Sequence, residues 1–308
     1  MDSWGSRRVA VEFESEGAAL RGFLYGAVKG EPPFPAVVMA HGTSATIPMA
    51  TDRYAEVFAE AGVSALLYDH RNLGISGGEP RQEINPWTQC RGYRDAVTFA
   101  SKIPDHDPNR IGIWGDSFSA GEVFLVAACD PRVKVVVAQC PTFGAAPPLI
   151  EPSRELLRAI RTTFESGDVS GRPEDVVGPI PVVSSDQLGT PSLLQPIQAY
   201  RWFIDYGGRH GSEWHNRATR VIPSNTAPYS PYLCASYVTA PSLMMVAPAD
   251  EMTGANPDVS RAAFDLLAGE RDWYEIGGGH FGLLHYPSDL FGEASRVQVD
   301  HLARHLLR

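Results

Sequence analysis

Gly112-Ile113-Trp114-Gly115-Asp116-Ser117-Phe118-Ser119-Ala120-Gly121 is the stretch on which the reading of this chain turns. A short apolar run, Ile111 to Trp114, leads straight into small residues and a serine. An Ala-rich apolar stretch, Ser119 to Cys129, follows and is stopped by Asp130-Pro131. The first piece has the length and character of a buried strand and the second those of a buried helix. The turn between them is too tight for large side chains, and it pushes the serine hydroxyl clear of the sheet. It also sets that hydroxyl at the positive, N–H-rich end of a helix. In the pattern G-x-S-x-G, Gly115 and Ser117 match, whereas Ser119 stands in the place of the second glycine. Serine is small enough for the turn to survive.

Outward from this stretch the chain alternates strand and helix. Towards the N-terminus, Val9, Val11 and Phe13 share one face, and a second run, Leu20 to Tyr25, follows Glu16-Gly17, which predicts an antiparallel hairpin. Ala36 to Ala40, Val63 to Tyr68 and Val133 to Ala138 are short continuous apolar runs, as expected for strands covered on both faces. Between them, Tyr54, Val57, Phe58 and Ala61, and then Tyr93, Ala96, Val97 and Ala100, recur at helical spacing. Ser242 to Ala247 and Asp272 to Ile276 predict two further strands, with an amphipathic stretch around Val259 to Leu267 between them and a closing helix from Glu293 to Leu307. Such alternation predicts a mostly parallel sheet with helices on both faces. Residues 144–235 break the pattern, being rich in Pro, Gly, Ser and aromatics including Trp202, Phe203, Tyr206 and Trp214. So long a structureless loop is abnormal in a compact domain, and disordered segments lack aromatics. The expectation is an inserted helical cap over 144–235, with helices near Glu151 to Phe164 and Ser192 to Tyr206, on a core formed by 1–143 and 236–308.

Composition narrows the function classes. With 308 residues, 26 Lys and Arg against 36 Asp and Glu, the chain carries a formal charge of −10 and no basic block. Nucleic acids and anionic membranes need clustered positive charge, so neither is expected as a partner. Four cysteines, Cys90, Cys129, Cys140 and Cys234, have no C-x-x-C spacing and read as buried thiols of a reducing compartment. The first residues show no apolar signal segment, and no apolar run approaches a membrane span, so a cytoplasmic location is expected.

A serine hydroxyl needs a base to take its proton, and the base needs an orienting carboxylate. Among nine histidines, His280 stands out because it follows a strand on the glycine-rich loop Gly277-Gly278-Gly279. His285 is the nearest rival, while His106, His301 and His305 read as surface residues. Asp250 follows the strand Leu243 to Ala247 through Pro248-Ala249, at the strand end where open α/β sheets place their sites. Glu251 and Asp258 are its rivals. The order Ser117, Asp250, His280 is one that strand-turn-helix serine enzymes use. Two backbone donors should stabilise a developing oxyanion: the Phe118 N–H, and the Thr43 N–H of the loop His41-Gly42-Thr43-Ser44. His41 reads as fixing that loop. In Asp69-His70-Arg71-Asn72-Leu73-Gly74, Asp69 and Arg71 are expected to pair. Asp105-His106-Asp107 cannot converge on one ion, and no metal and no cofactor is expected.

Together these residues resemble the α/β-hydrolase superfamily over essentially the whole chain, and within it the dienelactone-hydrolase-like and X-prolyl-peptidase-like branch that includes fungal polyketide transferases. The matching segments are Tyr68-Asp69-His70-Arg71 with Gly74 and Ser76, Asn85-Pro86-Trp87, Asp107-Pro108-Asn109-Arg110-Ile111, Gly115-Asp116-Ser117-Phe118-Ser119, Pro248-Ala249-Asp250 and Gly278-Gly279-His280-Phe281. The resemblance implies the α/β-hydrolase fold, with Ser117, Asp250 and His280 as nucleophile, acid and base. The sequence departs at Asn72 and Ala120, where such proteins often carry Gly. The expected activity is that of a serine hydrolase acting on an ester-type carbonyl compound, with an apolar or aromatic small-molecule substrate held between cap and core. Acyl transfer to an alcohol or amine, carbon–carbon bond cleavage, and a non-catalytic small-molecule receptor on the same fold are the alternatives. Both a monomer and a homodimer are compatible with the sequence.

Overall fold

The computed structural model describes residues 8–224 and 227–308. The reading of the first seven residues therefore lies outside the described residues. Eleven strands and eight α-helices follow one another along them: β1 Arg8–Ser15, β2 Ala18–Tyr25, β3 Phe34–Ala40, α1 Thr51–Ala61, β4 Ser64–Tyr68, β5 Glu83–Ile84, α2 Pro86–Ala100, β6 His106–Asp116, α3 Phe118–Cys129 and β7 Val133–Gln139. There follow α4 Arg154–Ser166, β8 Val176–Ile180, α5 Ile197–Gly207, β9 Ala218–Val221, α6 Pro231–Ala235, β10 Ser242–Val246, α7 Pro257–Leu266, β11 Arg271–Glu275 and α8 Asp289–Leu306.

Eight strands form one sheet in the order β1-β2-β4-β3-β6-β7-β10-β11. The hairpin β1/β2 and the pair β2/β4 are antiparallel, and the remaining pairs are parallel. The continuous apolar runs have the predicted cause, since both faces are covered. Val38, Leu66, Ile113, Val136 and Met244 point to the layer of α2, α3 and α7. Their neighbours Val37, Leu67, Val135, Val137 and Met245 point to α1 and α8 on the other side. Each fully buried Val or Leu contributes about 1.5–3 kcal/mol, so the alternation fixes the register of the central strands. Helix α2 starts where Asn85 caps it, its side chain accepting from the Trp87 and Thr88 N–H groups, with Pro86 in the first turn.

Residues 144–235 differ from the purely helical expectation. They contain α4, α5 and α6, but also β8 and β9, which join β5 in a second, three-stranded sheet. Val176, Val177, Pro179 and Ile180 are too few and too Pro-Gly-interrupted to read as a strand, and β5, on the other side of β9, is only two residues long. The segment is fastened to the loops of the main sheet. Trp202 Nε1–H donates to the Leu284 carbonyl at 3.1 Å, Thr46 donates to the Ser212 carbonyl at 2.6 Å, and Trp214 Nε1–H donates to Ser44 at 3.2 Å. Among the described residues no helix is long and apolar enough to cross a membrane.

One predicted pair does not form. Asp69 is buried and its carboxylate accepts the backbone N–H groups of Ile47 at 2.8 Å and Ile75 at 2.9 Å, not the Arg71 guanidinium. Two loops at the strand ends converge on it, and backbone donors fill the space a guanidinium would need. Asn72 takes φ +72°, a left-handed conformation that Asn tolerates better than other non-glycine residues, so the missing glycine is accommodated. Asp69→Ala should lower stability by about 1–3 kcal/mol in urea unfolding, because the buried Ile47 N–H and the part-buried Ile75 N–H lose their acceptor. Arg71→Ala should cost less than about 1 kcal/mol.

Candidate active site

Ser117 sits between β6 and α3 with φ +56° and ψ −115°, a backbone conformation that L-residues rarely adopt and that costs on the order of 1–3 kcal/mol. The neighbouring strand holds it there. The Ser117 N–H donates to the Gln139 carbonyl at 2.8 Å, and the Ser117 carbonyl accepts from Thr142 at 3.1 Å. The turn admits no bulk, since a Cβ on Gly115 would lie 2.4 Å from the Ser119 carbonyl oxygen.

His280 and Asp250 arrive at the same point from the ends of β11 and β10. His280 Nε2 lies 2.8 Å from Ser117 Oγ, and His280 Nδ1 lies 2.7 Å from Asp250 Oδ2. The other Asp250 oxygen accepts the Met252 N–H at 2.8 Å, which orients the carboxylate. Since a carboxylate accepts, Nδ1 carries a proton and Nε2 faces the serine hydroxyl as an acceptor. The imidazole and the carboxylate are almost wholly buried, with side-chain exposures of 2% and 1%. Burial acts to lower the His280 pKa, but the hydrogen bond and charge of Asp250, with Asp116 and Glu251, outweigh it and hold the imidazole above its ordinary 6.5.

The rival residues are placed elsewhere. Glu251 accepts the backbone N–H of His280 at 2.9 Å, so it positions the loop and not the ring. His285 is exposed. His301, read as a surface residue, is buried at 2% exposure, and its Nδ1 lies 2.9 Å from Asp272. His305 is also mostly covered. The surface reading of both is overturned because α8 packs this face against the sheet.

The loop after β3 lies directly against the turn. A Cβ on Gly42 would stand 2.5 Å from the Asp116 carbonyl oxygen, 2.6 Å from Ser117 Cβ and 3.1 Å from the Phe118 nitrogen. Thr43, next in sequence at φ +44°, lines the same cavity as Ser117 and Phe118. As first residue of α3, Phe118 has an N–H without an intrahelical acceptor. His41 holds this loop: Nδ1 accepts the Gly42 N–H at 2.8 Å, so Nε2 donates to the Met49 carbonyl at 2.9 Å. Burial pushes its pKa down to about 4, which leaves it neutral.

A cavity of about 460 Å³ opens above Ser117, between the main sheet and residues 144–235. Its walls are largely apolar, with Phe118, Phe143, Leu194, Tyr229 and Met252 among them. The aromatic content of 144–235 is used for packing as much as for lining: Trp202 stacks on Tyr206 and meets His41 and Phe281. The Ser44–Trp214 contact, the network around Ser119 and the grip of Glu251 on the His280 backbone are not legible in the sequence, which offers Glu251 only as a rival to Asp250. Glu251 had one available signal, its adjacency to Asp250.

No protein-family model matches the chain. A thiohydrolase of Eupenicillium brefeldianum is 30% identical over 267 residues, covering 84% of this chain and 82% of that protein. Thiohydrolase apmlB of Arthrinium phaeospermum is 46% identical, but the match spans only 42% of each chain. Polyketide transferase af380 of Aspergillus fumigatus is 29% identical over 97% of this chain and 99% of its own. Among solved structures, the α/β hydrolase GrgF of Penicillium sp. sh18 superposes with a TM-score of 0.72 at 24% identity, covering 98% of this chain and 99% of that one.

Because Gly42 is in contact with the turn, Gly42→Ala should force loop and turn apart, lowering the thermal midpoint by the equivalent of about 1–3 kcal/mol. Sheet order, turn and sequence similarity agree: the chain belongs to the α/β-hydrolase superfamily, in the branch that holds the fungal thiohydrolases and polyketide transferases.

Proposed function

We propose that this chain is a serine hydrolase that cleaves an ester-type carbonyl substrate, an oxygen ester or a thioester, through an acyl-enzyme on Ser117. The observation that carries the reading is the hydrogen-bond chain from Ser117 Oγ through His280 to Asp250, opening on an apolar cavity. His280 Nε2 takes the hydroxyl proton as Oγ bonds to the carbonyl carbon. The carbonyl oxygen becomes an oxyanion held by the Phe118 and Thr43 N–H groups, at the positive end of α3. Collapse breaks the bond to the leaving alkoxide or thiolate, which receives the proton from His280. Water then gives a proton to His280 as its oxygen bonds to the acyl carbon, and collapse breaks the bond to Ser117 Oγ, which takes the proton back from His280 as the acid leaves.

In this reading residues 144–235 are the cap, on a core of 1–143 and 236–308, and the cavity beneath it takes an apolar or aromatic acyl group. The four cysteines are free and buried, in keeping with a reducing, cytoplasmic setting. Acyl transfer to an alcohol or amine is the second reading, supported by the similarity to the polyketide transferase. It uses the same acyl-enzyme, and product analysis with and without an added acceptor separates the two.

Ser117→Ala should lower turnover of an aryl ester by about 10⁶-fold and abolish labelling by a fluorophosphonate. Retained turnover, or a label on another residue, would remove the nucleophile from the reading.

The pH profile follows from the proton inventory. His280 works only when neutral, and its pKa stands above 6.5. Activity should therefore be lost as pH falls and kcat/KM should reach half its plateau above pH 6.5. Asp250→Asn removes the largest support for the raised value, so the limb should move to lower pH while the plateau drops about 10⁴-fold.

A further inference from the structure

Ser119 occupies the position where the turn pattern has glycine, yet it is not an inert substitute. Its side chain is buried among polar partners. Ser119 Oγ lies 2.8 Å from the His41 carbonyl oxygen, 2.9 Å from Glu122 Oε2 and 2.8 Å from His70 Nε2. Serine, histidine and acid thus meet a second time within one helical turn of Ser117, but in a different arrangement. Here the acid touches the serine and not the far nitrogen of the histidine, and all three side chains are closed to solvent. His70 Nδ1 has no hydrogen-bond partner among the described residues. The group is built to hold something, not to react.

We propose that Ser119 is a positioning residue that ties the His41-Gly42-Thr43 loop to the nucleophile helix, with Glu122 and His70 fixing which way its hydroxyl proton points. The argument rests on the proton count. Burial pushes the His70 pKa down to about 3, so the ring is neutral, and with Nδ1 bare its one proton sits on Nε2 and is donated to Ser119 Oγ. Burial pushes Glu122 well above the ordinary carboxylate range, and its Oε1 has no hydrogen-bond partner among the described residues, so a proton on this acid would sit on Oε2 and face Ser119 Oγ. With His70 Nε2–H and a protonated Glu122 Oε2 facing the oxygen, the Ser119 proton goes to the His41 carbonyl, which lies 2.8 Å away. An ionised Glu122 would compete for that proton and slacken the tie. The Tyr93 hydroxyl also interacts with Ser119, but its own proton is donated to the Trp114 carbonyl at 2.9 Å. The His41 carbonyl belongs to the peptide preceding Gly42, so the tie acts two residues from the Thr43 N–H.

The inference rests on the reading of Ser117 as nucleophile, and the experiment separates the two. Ser119→Ala should lower kcat on an aryl ester about 10-fold or more, because a small displacement of an oxyanion donor is expensive, while KM stays within about 2-fold. Affinity for an aryl boronic acid, which forms a tetrahedral adduct, should fall by the same factor as kcat. Glu122→Gln, whose amide still donates to Ser119, should cost less than about 3-fold. If Ser119→Ala does not fold, Ser119→Cys, with its weaker donor, should give an intermediate loss with the same split. An unchanged kcat in the folded Ser119 variant, a lower kcat with unchanged boronate affinity, or a Glu122→Gln loss as large as that of Ser119→Ala would overturn the proposal. If these occur while Ser117→Ala is inactive, only the role of Ser119 falls. Activity in Ser117→Ala would instead bring down the reading beneath it.

Discussion

The chain reverses between β6 and α3 within one residue, and Ser117 bears the whole of that reversal at φ +56° and ψ −115°. Such a conformation persists only where the surroundings over-determine it. Here they do: β7 holds the amide and Thr142 the carbonyl of Ser117, while Gly115 and Gly42 leave no volume into which the turn could relax. The parallel centre of the sheet serves this turn, because it brings the ends of β3, β6, β10 and β11 to one edge. Loops that are distant in sequence can then meet around a single oxygen atom.

The polar groups behind that edge are arranged by proton direction as much as by charge. His41 and His70 are kept neutral by burial, whereas His280, equally buried, is raised because Asp250 faces its Nδ1. Asp116 stands 3.5 Å from His41 Nδ1, but that nitrogen accepts the Gly42 N–H, so among the three imidazoles only His280 has a carboxylate hydrogen-bonded to Nδ1 and an Nε2 turned to the Ser117 hydroxyl. The contrast between Ser117–His280–Asp250 and Ser119–His70–Glu122 makes the point. Residue types are shared, but which atom meets which decides whether the group is reactive or structural.

Residues 144–235 connect the cavity to the same frame. Trp202 bonds to the loop that carries His280, and Trp214 bonds to the loop that carries Thr43. The segment that shapes the acyl space is thus anchored on the two loops that would carry out the chemistry, so changes in its packing reach the site through those contacts.

Much of this was legible in the sequence. The strands and helices of the core follow from period and run length, because a sheet covered on both faces demands continuous apolar runs and the helices demand a repeat near 3.6. Ser117, Asp250 and His280 could be picked out because each follows a strand, and strand ends are where this architecture gathers its polar residues. The second small sheet was not legible, since β5 and β9 are short and depend on partners far away in sequence. Asp69 and Arg71 looked like a pair because opposite charges two residues apart suggest one, yet backbone donors from two loops claimed the carboxylate. His301 was misjudged because nothing local says which face of α8 the sheet will cover. The sequence by itself determined the order of the main-sheet strands and their helices along the chain, the tight turn and the identity of the three residues at its rim, since these depend on local volume and periodicity. Tertiary structure alone decided that Glu251 grips the loop and not the ring, that Ser119 meets the His41 carbonyl, and what volume lies above Ser117, because each is a contact between atoms that only folding brings within 3 Å.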